Sequence, residues 1–302
     1  MNNKNKGLLL VFSTAIISGF SIFINKYGVA MANPDIFVFA KNIFVAFLLG
    51  AAILLFKKRQ ELYHLTKKQW GQLALIGLIG GSIPFILFFK GLAMTSALPG
   101  AFTHKTMFIF TALLAAIWLK EKINKNFLIG GLLLLLGILL TLKSFQFSFG
   151  WGDGLILLAV LFWSIENILA KYLLRDLSGS LVAWGRMFFG SIIIFAYLAF
   201  TGQAPQLLAL NLTQLGWIAL TSALLFGYVI TWYHGLKFVP VSVATTILLL
   251  GLPITTTLTA FATGKLVPQE VISGSLILAG LLIIFGLKIV KTINNKLLAA
   301  NR

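Results

Sequence analysis

The chain contains no cysteine and only seven acidic residues in 302. The first absence excludes disulfides, thiolate metal sites and a cysteine nucleophile. The second leaves no carboxylate pair at membrane depth for acid–base chemistry. Charged residues make up 10% of the chain, against about 25% in water-soluble domains, so a soluble globular protein is excluded too. No stretch reads HExxH, GxxxxGK followed by Ser or Thr, or GxSxG, so metalloprotease, nucleotide-loop and serine-hydrolase chemistry find no anchor. No catalytic residue, metal or cofactor is expected.

What fills the chain instead is apolar. Hydrophobic residues make up 59% and the mean hydropathy is +0.98. A hydrocarbon core of roughly 30 Å takes about 20 apolar residues per helix. Ten such stretches are present, predicting helices over 7–26, 36–56, 70–92, 98–119, 127–143, 154–174, 180–200, 214–236, 242–263 and 271–290. Turn chemistry separates them, as at Asn33-Pro34-Asp35, Val239-Pro240 and Pro268. They consume nearly the whole chain, so no sizeable soluble domain is expected. The net charge of +17 would suit nucleic acid, but the cations sit in loops on one side of a membrane, so the expected partners are the lipid bilayer and a small-molecule substrate, with no nucleic acid. The oligomeric state is open.

The loops set the orientation by the bias of Lys and Arg toward the cytoplasm. With the N-terminus inside, the cytoplasmic segments hold Lys57, Lys58, Arg59, Lys67 and Lys68, then Lys120, Lys122 and Lys125, then Lys288, Lys291, Lys296 and Arg302. The outer ends hold only Lys26, Lys90, Lys143 and Lys265. Both termini are therefore expected in the cytoplasm, in a cytoplasmic (inner) membrane. Ala30-Met31-Ala32 resembles a signal cleavage site, but the apolar run from Gly7 to Asn25 exceeds a signal core of about 7–15 residues. The first helix is expected to stay.

The second half echoes the first. Lys26-Tyr27 matches Lys171-Tyr172, Lys41 matches Arg186, and Lys90-Gly91-Leu92 matches His234-Gly235-Leu236. Five helices per half is an odd number, so the halves, 1–147 and 148–302, insert with opposite orientation. The expected fold is an all-α integral membrane protein of ten helices in two inverted five-helix repeats, which is a transporter architecture.

The same residues carry a family likeness. Trp163-Ser164-Ile165-Glu166-Asn167 leads to Lys171, and Ser18-Gly19-Phe20-Ser21 leads to Lys26. Trp118-Leu119-Lys120-Glu121 precedes Gly130-Gly131 and Gly137, and Pro253, Gly274 and Gly280 recur in the second half. In this the chain resembles the EamA-type transporters of the drug/metabolite transporter superfamily, along its whole length. It departs from their pattern at Lys265, where a second glutamate is usual, and at Glu166, where asparagine is more common. The resemblance implies export of amino acids, other metabolites or toxic compounds, and it names no substrate.

Ionisable groups at membrane depth usually face a bundle interior. Here they are Lys41, His104, Lys105, Glu166, Arg186 and His234. Glu166 lies about 18 Å along its helix, near the midplane, where it must be protonated, paired or next to water. It is a candidate for proton coupling or for a substrate amine; the alternative is a structural partner for a cation. Lys105 is a candidate for a substrate anion, and His104 for a helix–helix hydrogen bond. Lys41 and Arg186 either snorkel or guard the two mouths of one pathway. His234 is expected at an interface. Tyr228 and Trp232, four apart on one face, are the best aromatic pair for a cavity, with Phe102, Phe108 and Trp163 behind them. Thr246, Pro253 and Thr257 share a stripe that forms either a cavity wall or a packing kink.

Three cations against one anion disfavour a purely cationic drug. The expected function is secondary transport, most simply export of a small zwitterionic or anionic metabolite such as an amino acid, proton-coupled or by exchange. Within transporters the alternatives are drug efflux and nucleotide-type metabolite exchange. Outside them they are a non-transporting receptor or a lipid-active membrane enzyme.

Overall fold

A computed structural model describes residues 2–55, 59–144, 150–265 and 267–300, with the side chains of all but 59, 141–144 and 285–300. Of the basic residues expected in the cytoplasm, Lys57, Lys58 and Arg302 lie outside the described residues, as do the side chains of Arg59, Lys288, Lys291 and Lys296, and that of Lys143 on the other side. The described residues are helical, with no strand among them. In chain order the long helices are α1 (Asn3–Val29), α2 (Pro34–Leu55), α3 (Lys67–Met94), α4 (Ala97–Trp118), α5 (Lys125–Ser144), α6 (Trp151–Leu173), α7 (Gly179–Phe200), α8 (Leu212–Phe238), α9 (Val241–Thr263) and α10 (Pro268–Ala300). Eight of them are long and apolar enough to cross a membrane; α5 and α10 are apolar over the shorter stretches Lys125–Leu140 and Pro268–Ile284. The helix expected to stop at 290 runs on to Ala300. Lys291 to Ala300 holds helix formers and no Gly or Pro, so leaving the apolar run does not end the helix.

Polar residues start the helices where water or headgroups would otherwise meet bare N–H groups. Thr66 with Gln69 and Asn211 with Gln214 form reciprocal capping boxes, and Ser178 caps α7 through Leu181 N. Three helices are interrupted. In α3 a π-helical segment spans Gly77–Ser82. In α4 the run breaks at Thr106, between Lys105 and Met107. In α9 a 3₁₀ turn, Leu248–Leu250, precedes Gly251. The expected disturbance at Pro253 falls here: Pro253 has no N–H for the carbonyl four residues back, Leu249.

The helices pack in a pattern that is unchanged when each is exchanged for the one five places later. α1 packs on α8 and α6 on α3; α1 on α9 and α6 on α4; α2 packs on α7 and α5 on α10. Close approach is built into equivalent positions. A Cβ on Gly235 would lie 3.0 Å from the Gly7 carbonyl oxygen, and one on Gly91 2.5 Å from that of Gly152. Without water to drive association, such near-contact of backbones is what holds helices together in lipid.

The helix ends are tied in two clusters. In one, Asp35 at the start of α2 pairs with Lys90 of α3 at 3.1 Å, and the Tyr197 hydroxyl of α7 accepts from Lys90 at 2.8 Å and donates to Asp35 at 3.2 Å. Lys26 donates to the carbonyls of Leu92, Ala93 and Thr95 at the end of α3. In the other, Lys171 donates to the carbonyls of Leu236, Lys237 and Val239 at the end of α8. Each lysine therefore satisfies orphan carbonyls at the negative end of a helix. There too Glu121 accepts from the N–H groups of Val241 and Ser242, at 2.7 and 3.1 Å, and clamps the start of α9. At the equivalent start of α4 the Ser96 side chain makes no cap, and Lys265 is exposed.

Candidate functional site

Six helices, α1, α2, α3, α6, α7 and α8, together with the break in α4, line a cavity of about 70 Å³. The sequence-predicted residues Lys41, Glu166, Arg186, Tyr228 and Trp232 all line it, as do His104 and Trp163. Lys41 is 1% exposed and Arg186 5%. Neither snorkels to an interface, and the two equivalent cations face one space.

Each polar group is held by a neighbour. Lys41 donates to Asn25 Oδ1 at 2.6 Å, and its Nζ stands 4.5 Å from the Phe89 ring centroid. Asn25 is fixed in turn by donating to the Ser21 carbonyl and hydroxyl at 2.7 and 2.8 Å. Glu166 Oε1 accepts from the Tyr233 hydroxyl at 2.5 Å. The Arg186 guanidinium lies 5.3 and 5.9 Å from the ring centroids of Phe85 and Tyr233, and its Nε has no hydrogen-bond partner. Trp232 Nε1 donates to Asn167 Oδ1 at 3.1 Å, and Tyr228 stacks on Trp232 with centroids 6.2 Å apart. The two aromatics four apart on α8 thus share one wall, and Asn167, a hundred degrees from Glu166 around α6, still reaches the same cavity.

The π segment of α3 makes room for this. A Cβ on Gly80 would fall 2.3 Å from Glu166 Cγ, and one on Gly81 2.0 Å from the Arg186 carbonyl oxygen. The carbonyls released by the wider turn find partners: Trp163 Nε1 donates to Gly80 O at 2.9 Å and Asn42 Nδ2 to Gly81 O at 3.1 Å. π segments of this kind recur at functional sites.

Other expected residues lie elsewhere. Lys105 does not line the cavity. It is 2% exposed, donates to Ser18 Oγ at 2.8 Å, and lies against Gly251 at the break in α9. His104, its neighbour, faces the cavity, packed edge-on against Phe88 and Trp163. His234 meets Ser180 Oγ at 3.2 Å and the Ile230 carbonyl at 2.9 Å, at the end of α8. Phe102 and Phe108 are buried away from the cavity. Thr246 is buried, while Pro253 and Thr257 line a separate groove of about 540 Å³ between α9 and α10.

Two polar residues that hold the cavity's charged groups escaped the sequence reading. Asn25 had a legible signal, because Ser18, Ser21 and Asn25 form a polar stripe at helical spacing on α1. Tyr233 had none: it is one aromatic in an apolar helix, and only the packing of α6 on α8 brings it to Glu166.

The comparisons with known proteins meet this geometry. The model of the EamA-like transporter family matches residues 5–143 and again 150–286. The chain belongs to the EamA-like transporter family. With it the chain belongs to the drug/metabolite transporter superfamily, and it is a multi-pass membrane protein of a transporter family rather than of an enzyme family. It is 27% identical to the uncharacterized transporter YyaM of Bacillus subtilis, over 96% of each chain. It is 28% identical to the riboflavin transporter ImpX of Fusobacterium nucleatum, over 81% of this chain and 85% of that one. One solved structure matches with a TM-score of 0.74 at 17% identity, covering 94% of this chain and 98% of the other, a likeness of fold alone. The family match falls in two segments, and Lys41 and Arg186 stand at equivalent places in them.

Proposed function

We propose that this protein is a secondary transporter that exports a small anionic or zwitterionic metabolite, amino acids and their derivatives among them. The observation that carries the reading is the pair Lys41 and Arg186, one from each half, buried and facing one central cavity with Glu166. Ten helices cross the membrane, as inverted halves 1–147 and 148–302, and both termini lie in the cytoplasm of an inner membrane. The alternation of basic loops supports this topology, and the exchange-invariant packing supports the repeat. Intramembrane charges facing a shared cavity mark substrate and proton pathways. The cavity is smaller than the void of about 150 Å³ that admits benzene in a soluble protein, so a metabolite enters when one cluster of helix ends opens. The Asp35–Lys90–Tyr197 cluster closes the outer mouth and the Glu121–α9 clamp the inner one. Glu166 carries the coupling proton, and its bond to Tyr233 holds it at the cavity wall.

A second reading is a neutral planar solute, the class to which the riboflavin of the Fusobacterium relative's name belongs; the aromatic walls favour it, and the two cations weigh toward an anion. The test is counterflow of labelled small acids and amino acids in proteoliposomes. Uptake is expected in the parent and lost in both Lys41→Met and Arg186→Met, with unchanged elution as a monodisperse species. Full transport by either variant would overturn the reading.

A further inference from the structure

The hydrogen-bonding inventory of the cavity narrows its ligand, granted the transport reading above. Three side chains lining it carry acceptors of carbonyl or carboxylate type, and each has one oxygen occupied by a protein donor. Asn25 Oδ1 accepts from Lys41, Asn167 Oδ1 from Trp232 Nε1, and Glu166 Oε1 from the Tyr233 hydroxyl. The orientation of both amides is forced. Lysine ammonium and indole N–H are donors only, so each asparagine must turn its oxygen to that partner and its NH₂ group away. For Asn25 the NH₂ is held by Ser21. For Asn167 it meets only the Met107 sulfur, at 3.7 Å, a weak acceptor.

The donors are in the opposite condition. Lys41 has three N–H bonds and one hydrogen-bond partner, Asn25. Arg186 Nε has none. The cavity therefore offers N–H groups and two cationic centres against one carboxylate, Glu166, whose Oε1 is taken by Tyr233. Its walls are rings: Tyr228 stacked on Trp232 on one side, and Phe88 and Trp163 packed together with centroids 5.3 Å apart on another.

We infer that the cavity selects an aromatic carboxylate, a planar ring bearing an anionic group and no ammonium, and that the Trp232–Asn167 bond sets this selectivity by turning the amide donors toward the ligand. The carboxylate meets Lys41 and Arg186, which supply charge-assisted donors. The ring lies against Tyr228 and Trp232. An ammonium group finds one Glu166 oxygen engaged by Tyr233 and two cations nearby, so within the class proposed above the anionic members are favoured over α-amino acids, and an amine is disfavoured.

The experiment uses one matched set of probes on the purified full-length protein: 3-phenylpropionate, phenylalanine, phenethylamine, hexanoate and riboflavin. Binding is read by isothermal titration in detergent and movement by counterflow in proteoliposomes. 3-Phenylpropionate is expected to bind on the order of tenfold or more tighter than any of the others. Asn167→Asp, which keeps the acceptor for Trp232 and replaces the donor with a negative charge, is expected to lose that preference and to bind phenethylamine better than the parent does. Tighter binding of phenylalanine or phenethylamine would overturn the inference, as would hexanoate or riboflavin matching the aromatic acid, or no binding by any probe. If the acid binds as expected but no probe moves in counterflow, the transport reading fails and the ligand class stands.

Discussion

Replacing Gly81 by alanine is a direct test of the α3–α7 crossing that seats Arg186. The added Cβ would lie 2.0 Å from the Arg186 carbonyl oxygen and 3.1 Å from Gly190 Cα. An ordinary carbon–oxygen contact is about 3.3 Å, so the backbones must part by roughly 1.3 Å. Both clashing groups are main chain, and no rotamer change relieves them. Overpacking costs about 1–3 kcal/mol, and the rigidity of both partners puts this case near 3. Alanine returns about 1 kcal/mol through its better helix propensity, leaving a net loss of about 2 kcal/mol. At about 2–4 °C per kcal/mol for a large domain, the melting temperature should fall by roughly 4–8 °C. Gly71, also in α3, is the control: nothing lies within 4 Å of its Cβ position, so Gly71→Ala should melt no lower than the parent. Thermal unfolding followed by intrinsic fluorescence in detergent reads both variants. Because the displaced carbonyl belongs to Arg186 itself, counterflow should fall further than stability does. If Gly81→Ala melts with Gly71→Ala and transports normally, the close approach of α3 and α7 is wrong.

Three further outcomes are expected. Glu166→Gln keeps an acceptor for the Tyr233 hydroxyl but carries no proton, so it should lose accumulation driven by a pH gradient and retain counterflow; a melting temperature lowered by several degrees, with coupling intact, would make Glu166 a structural partner of Arg186 instead. Lys105→Met removes a buried cation outside the cavity, so the maximal rate should fall with KM unchanged; a large rise in KM would put the ammonium on the substrate. A single cysteine at position 60, read without background because the chain has none, should resist an impermeant thiol reagent on intact cells, and labelling from outside would reverse the assigned topology.

The sequence reading located most helices to within a few residues. The stretches expected at 180–200 and 242–263 are found as Gly179–Phe200 and Val241–Thr263. The reason is physical: the length of an apolar run and the polar residues at its ends decide where such a helix starts and stops, and both are local. Lys41, Glu166 and Arg186 stood out for an equally local reason, the cost of an ion in lipid. What decided the cavity was not local. The π turn at Gly77–Ser82 follows from α3 fitting against α6 and α7, and no propensity announces it. Lys105 and His104 are adjacent in sequence and equally plausible from depth alone. Only the break at Thr106 and the position of α1 send the lysine to Ser18 and the histidine to the cavity.

Among the described residues the clamp at the start of α9 has no twin. Glu121 holds two N–H groups there, while at the corresponding position of the other half stands an exposed Lys265, and the Ser96 side chain does not cap the start of α4. Two halves that can trade conformations need not do so at equal free energy: one mouth is tied by a carboxylate on backbone N–H groups, the other by the Asp35–Lys90–Tyr197 ion pair. A hydrogen bond to a charged group is worth about 1.5–3 kcal/mol, so opening either mouth costs bonds of that strength. The two mouths are closed by different chemistry, so a substitution at one has no automatic counterpart at the other.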